Sequence, residues 1–229
     1  MTDCENKQIA FFGKITAGIT HEMKNVLATI KESSGLMEDL ILLCSKTPLP
    51  YGEKMQRALS TINEQVQRGV ELTSRLNRFA HDPEETVKKI DLQDMVEHLI
   101  ALAQRFARLQ NVILKSVTSS PPVLIETRPV QLQMALFGGI ECCLNLMATG
   151  GRISLCPQKQ GEDNLVHIFC EGDALEKISF VGPGPGSTSE KWLTLNALVK
   201  NIGGSVLPDE SSRGIYIFLP DNIHSHPPA

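Results

Sequence analysis

Two apolar stripes, each stepping alternately four and three residues, constrain this chain more than any other feature. The first runs Ile19, Met23, Val26, Ile30, Ser33, Met37, Leu40 and Cys44; the second runs Met55, Leu59, Ile62, Val66, Gly69, Thr73, Leu76 and Ala80. Residues spaced in this way lie one above another on a helix, so each stripe is a seam of the coiled-coil kind. Lys46-Thr47-Pro48-Leu49-Pro50-Tyr51-Gly52 separates them, and its prolines cannot continue a helix. The spacing therefore predicts a helical hairpin with arms of roughly 45–60 Å at ~1.5 Å per residue. Two helices alone bury little. Pairing of two hairpins into a dimeric four-helix bundle is the natural completion; a monomer whose hairpin packs on the rest of the chain is the alternative.

Composition changes near residue 83. Gly and Pro are sparse before it, whereas Pro121-Pro122, three glycine pairs and Gly182-Pro183-Gly184-Pro185-Gly186 follow. Asp82-Pro83-Glu84-Glu85 reads as a helix stop and a polar hinge. The expected organisation is a hairpin over 1–82, a second domain over 83–222 and a disordered tail over 223–229, which makes the fold class α+β. In the second domain, helices are expected at 92–109, 129–147 and 190–201, the last capped by Gly203-Gly204. Strands are expected at 112–117 and 123–126, in a hairpin of 152–157 with 164–170, and at 215–219. Interleaved helices and strands with an antiparallel hairpin imply an α/β sandwich.

Charge and cysteine usage exclude several classes. Lys and Arg total 22 against 26 Asp and Glu, a net charge of −4, so no basic excess exists to neutralise nucleic-acid phosphates. No apolar run approaches the ~18–20 residues of a membrane helix, and the N-terminus lacks a secretory pattern. The expectation is a soluble, cytoplasmic protein with no membrane partner. The six cysteines show no CxxC spacing, which fits buried, reduced thiols better than a disulfide framework or zinc site.

The first seam turns Met23 and Val26 inward and so places His21 on the outer face, followed by Glu22 and Lys24. An imidazole there is available as a nucleophile, and the adjacent carboxylate can orient the ring and select its tautomer. Taken alone, an exposed histidine beside a glutamate is more often plain helix surface. A zinc-protease reading fails because HExxH needs a second histidine where Asn25 stands, so no metal is expected.

The stretch Ile19-Thr20-His21-Glu22-Met23-Lys24-Asn25-Val26-Leu27-Ala28-Thr29-Ile30 resembles the phosphoacceptor motif of bacterial sensor histidine kinases, S-H-E-[IL]-[RK]-N-P-L. It lies near the start of a long helical hairpin, as in that family's dimerisation and phosphotransfer domain. The resemblance implies that His21 accepts a phosphoryl group and that Glu22 is its hydrogen-bonding partner or base. Asn25, completing the family's ExxN pattern, would position water or a phosphorylated aspartate. Val26 replaces the family's proline. A response-regulator receiver domain would dock around Thr20, Lys24 and Ala28.

Downstream, Arg128-Pro129-Val130-Gln131-Leu132-Gln133 is similar to the lead-in of the family's ATPase domain, and Gly150-Gly151-Arg152-Ile153-Ser154-Leu155 looks like its first hairpin strand. Asn201-Ile202-Gly203-Gly204 and Gly214-Ile215-Tyr216-Ile217-Phe218-Leu219-Pro220 match its closing strand pair. The asparagine box, however, falls on Gly138-Gly139-Ile140-Glu141-Cys142-Cys143, with Cys142 where a magnesium ligand belongs; a one-residue shift puts Glu141 there instead. The D-x-G-x-G box is replaced by Glu171-Gly172-Asp173-Ala174-Leu175. In Gly182-Pro183-Gly184-Pro185-Gly186 the alternating prolines remove N–H donors that a phosphate cradle requires. The resemblance thus implies a dimeric histidine phosphotransfer protein with a degenerate ATPase-like domain, using no cofactor. Two alternatives stay open: an ATP-dependent kinase with an atypical Mg-ATP site, and a non-catalytic dimeric signalling scaffold.

Overall fold

A computed structural model describes residues 3–44, 52–80, 87–118, 120–147, 150–161, 163–172, 190–209 and 213–223. The expected hinge at 82–85, the glycine–proline run at 182–186, Asp173 and residues 224–229 of the expected tail lie outside these. The chain divides into two compact units, one of Phe12–His81 and one of Met1–Phe11 with Asp82–Ala229.

The first unit is the helical hairpin, made by α1 (Asp3–Cys44) from residue 12 onward and α2 (Gly52–Ala80). On α1, Ile19, Val26 and Leu40 are buried, and Met23, Ile30, Ser33 and Met37 are half-buried, as the first stripe requires. Gly69 of α2 faces this seam closely enough that a Cβ there would stand 3.4 Å from Val26 and 3.7 Å from Met23. Phe12 and Phe79 stack with ring centroids 4.7 Å apart.

The second stripe needs correction. On α2 the covered positions include Met55, Ala58, Ile62, Gln65, Gly69, Leu72, Leu76 and Phe79, whereas Leu59 and Val66 are 48% and 44% exposed and Thr73 is exposed. Positions three and four residues along lie on opposite sides of the 55–62–69–76 line, and both sides carry apolar residues. The inward side is the one holding Ala58 and Leu72. Leu59, Val66 and Val70 form a second apolar strip on the outward side.

The second unit contains β1 (Lys88–Asp91), α3 (Leu92–Arg108), β2 (Ile113–Ser116), β3 (Leu124–Thr127) and α4 (Pro129–Leu146). These are followed by β4 (Arg152–Gln160), β5 (Asp163–Glu171), α5 (Glu190–Asn201), β6 (Ser205–Asp209) and β7 (Gly214–Leu219). A five-stranded sheet has the order β2-β4-β5-β7-β6, with β2 parallel to β4 and every other pairing antiparallel; β1 and β3 form a small antiparallel pair. The fold is mixed α+β. Asp91 caps α3 by accepting a 2.8 Å hydrogen bond from the Gln93 amide, and Pro129 opens α4, where a missing N–H costs nothing.

Both hairpin strands run longer than the sequence suggests, because Pro157 does not end β4. Its pairing with β5 continues to Gln160, while β2 stops opposite Leu155, so the absent N–H falls where no neighbour requires it. β6 carries Pro208 and is tolerated for a related reason: it is the sheet edge. α4 lies against one sheet face at Gly139, where a Cβ would be 2.7 Å from Ile168 Cδ1 and 3.0 Å from Ile215 Cδ1. The core between them holds Ile153, Leu155, Val166, Ile168, Ile215 and Ile217. Phe106 meets Phe137 edge-on at 5.4 Å and joins α3 to α4. Phe11 also lies 5.4 Å from Phe137, which groups the first turns of α1 with this unit.

Candidate functional site

Thr20, His21, Lys24, Asn25 and Ala28 share one face of α1 and are all exposed. Their spacing returns to the same side of a 3.6-residue helix, opposite the buried Ile19 and Val26. The packing of α1 on α2 therefore decides that His21 faces water. Asn25 presents its side chain there too, while its backbone carbonyl accepts a 3.0 Å bond from the Thr29 hydroxyl.

Glu22 lies about 100° further round the helix. Its carboxylate is largely covered and sits 3.7 Å from the Arg68 guanidinium on α2. Arg68 was not among the residues the motif suggested. Nothing in its local sequence marks it, because the pairing depends on how two helices separated by a turn are set in register.

The stretch of α4 that takes the place of the asparagine box is a packed surface. Gly139 touches the sheet, Gly138 faces Leu195 and Leu198 of α5, and Cys142 and Cys143 are buried. Burial pushes the Cys142 thiol up to about 11, so it carries its proton at neutral pH. A buried, protonated thiol is a poor match for Mg²⁺, which takes hard oxygen ligands. Among the described residues, no cluster of three His, Cys, Asp or Glu side chains is placed to hold a metal ion. Glu171, the first residue of the stretch that replaces the adenine-reading box, pairs with Arg152 at 3.4 Å on the neighbouring strand.

Two further groupings were not legible in the sequence. Cys143 of α4 and Cys170 of β5 are both buried; interaction with Cys170 together with burial raises the Cys143 pKa, and interaction with Cys143 holds Cys170 down against the opposing effect of burial. On the sheet face away from α4, His167 stacks on Tyr216 at 4.3 Å and Phe169 at 4.7 Å, and its Nε2 is 2.8 Å from Asp209 Oδ2. Burial lowers the His167 pKa, with Asp209 opposing. The two pairs come from distant chain segments that only the sheet register and helix packing bring together.

A helical hairpin with an outward histidine, followed by an α/β sandwich, defines the class of this chain. No family model matches it. Two curated relatives from Bacillus subtilis (strain 168) are similar: sporulation kinase C, 22% identical over 219 residues and 92% of this chain, and sporulation kinase A, 22% identical over 198 residues and 85%. The chain spans 49% of the first relative's length and 31% of the second's. Solved structures of histidine kinase ThkA are also similar. Its catalytic domain has a TM-score of 0.49 at 13% identity, covering 60% of this chain and 98% of that one. The kinase in complex with response regulator TrrA has 0.48 at 14%, covering 96% and 65%. The similarity to these two kinases covers 92% and 85% of the chain and so extends over both units. Among the described residues no helix is long and apolar enough to cross a membrane.

Proposed function

We propose that this chain is a histidine phosphotransfer protein of a two-component phosphorelay, carrying a phosphoryl group on His21 without using ATP. The observation that supports this most directly is His21 itself, exposed on α1 within a phosphoacceptor-like motif and flanked on its face by Thr20, Lys24, Asn25 and Ala28. A ring nitrogen of His21 attacks the phosphorus of an aspartyl phosphate on a response-regulator receiver domain. A P–N bond forms, the acyl phosphate P–O bond breaks, and the aspartate leaves as a carboxylate. The other ring nitrogen releases its proton to water or to Glu22. The receiver supplies Mg²⁺, and in-line transfer requires the attacking nitrogen about 3 Å from phosphorus.

The active form is a homodimer in which two hairpins build a four-helix bundle. The outward strip of Leu59, Val66 and Val70 supports this, since large aliphatic side chains repeated along one helix face are what a second hairpin would cover. Asn25 positions the receiver's phosphoaspartate or an attacking water.

The relatives named sporulation kinases favour a second reading, an ATP-dependent histidine kinase with an atypical nucleotide site. Incubation with Mg-ATP, and separately with a phosphorylated receiver domain, followed by assay for acid-labile phosphate, separates the two. Phosphate acquired from the receiver alone is the expected result; phosphate acquired from ATP, with saturable ATP binding by calorimetry, would establish the kinase reading. No phosphate from either source would leave a docking scaffold.

A further inference from the structure

We propose that Arg68 of α2 is a positioning residue for phosphotransfer at His21, acting through the Glu22 carboxylate that its guanidinium holds in place. The inference rests on the reading of His21 as the phosphoryl acceptor and adds a residue outside the phosphoacceptor-like motif.

The geometry starts from the turn of α1 that carries the histidine. Going round the helix at about 100° per residue, the exposed His21 comes first and Glu22 next. The buried Val26 and Ile19, which mark the seam with α2, follow about 40° and 60° beyond Glu22. Glu22 therefore stands on the flank between the imidazole and the seam. Gly69 brings α2 in at this level, since a Cβ there would be 3.4 Å from Val26 and 3.7 Å from Met23. Arg68 immediately precedes Gly69, and its guanidinium stands 3.7 Å from the Glu22 carboxylate. Round the hairpin the order is imidazole, carboxylate, guanidinium.

The carboxylate needs such a hold. Adjacent helix residues do not face one another, and a glutamate side chain turns freely about its own bonds. Left to itself, Glu22 would reach for water and leave the flank of the ring. Instead its side chain is only 14% exposed, against 44% for Arg68. Covering a carboxylate to that extent is costly without a cation beside it, and Arg68 supplies the cation. A carboxylate fixed on the flank favours one tautomer of the imidazole and so selects the nitrogen that presents its lone pair to phosphorus. Arg68 lies beyond Glu22 as seen from the ring, so it acts through the carboxylate and not on the transferred group.

Two measurements on the full chain test this. Nitrogen-15 NMR of the His21 ring at about pH 8, above the usual imidazole range, reads the tautomers directly. One tautomer should predominate in the wild type, whereas Arg68→Ala and Glu22→Gln should both relax to the mixture of free imidazole. The double variant should go no further, and Arg68→Lys should restore the wild-type pattern. The second measurement uses potassium phosphoramidate as donor: the ring nitrogen attacks phosphorus, a P–N bond forms and ammonia leaves. Phosphorylation of His21, mapped by mass spectrometry, should slow about tenfold in Arg68→Ala while the other histidines react as in the wild type. A His21 ring with the same tautomers and the same rate with and without Arg68 would overturn the proposal, as would an Arg68→Ala effect undiminished by Glu22→Gln. The phosphotransfer reading fails separately, by absence of transfer from a phosphorylated receiver while the ring still responds to Arg68. If Arg68→Ala unfolds the hairpin, the spectra of Glu22→Gln and Arg68→Lys still decide.

Discussion

The Arg68 guanidinium reaches across the hairpin to within 3.7 Å of the Glu22 carboxylate, one residue along α1 from the outward-facing His21. The pair joins the helix that carries the histidine to its neighbour and turns the acidic group toward α2. Arg68 is 44% exposed, so water and salt screen the interaction. Arg68→Ala is expected to lower stability by less than about 1 kcal/mol, a typical ceiling for a partly exposed ion pair. Urea unfolding at low and high salt checks this; the difference from wild type should shrink as salt rises.

His21→Gln is expected to leave the fold intact, because an exposed polar exchange usually stays within about ±0.5 kcal/mol. It should abolish acceptance of phosphate from a phosphorylated receiver. Asn25→Ala should keep acceptance but reduce release of inorganic phosphate from the receiver. Acid-labile phosphate persisting in the His21→Gln chain would move the acceptor elsewhere, with His98 or His81 the next to test.

Val66→Asp distinguishes a paired hairpin from a lone one. In a single chain Val66 is 44% exposed, so a carboxylate there stays hydrated and costs little. In the proposed four-helix bundle the same change buries an unpaired charge, which costs several kcal/mol. Light scattering is expected to show a dimer for the wild type and a monomer for Val66→Asp, with helical circular dichroism retained.

His167 should make stability fall on the acid side. Burial lowers its pKa below the usual value of about 6.5, so the unfolded chain takes up the proton first. Its contribution is therefore complete above about pH 6.5 and is lost as pH falls through the lower folded value. His167→Gln keeps a donor for Asp209 without titrating, and urea unfolding between pH 5 and 8 should show a shallower acid slope. Asp209→Asn removes the group that opposes burial, so an NMR titration should find His167 lower still.

Much of the architecture could be read along the chain. The two long helices, the break between them, α3, α4, α5 and the β4–β5 hairpin all follow from periodicity, caps and turn residues, which act over one or two turns of backbone. The outward position of His21 follows as well, since Met23 and Val26 specify the buried side of its own helix.

Other features awaited the tertiary structure. Apolar residues flank both sides of the 55–62–69–76 line on α2, and hydrophobic burial has no direction of its own, so periodicity could not select the 58–65–72–79 side. Only the setting of α2 against α1 did so, and the same setting brought Arg68 to Glu22. β6 was hidden by Pro208, whose acceptability depends on its being a sheet edge. The interactions of Cys143 with Cys170 and of His167 with Asp209 join segments 27 and 42 residues apart. Sequence by itself determined which residues form helices, strands and turns, because those preferences are local. Which side chains meet across them was decided by helix packing and sheet register, because each contact depends on the mutual placement of segments far apart in the chain.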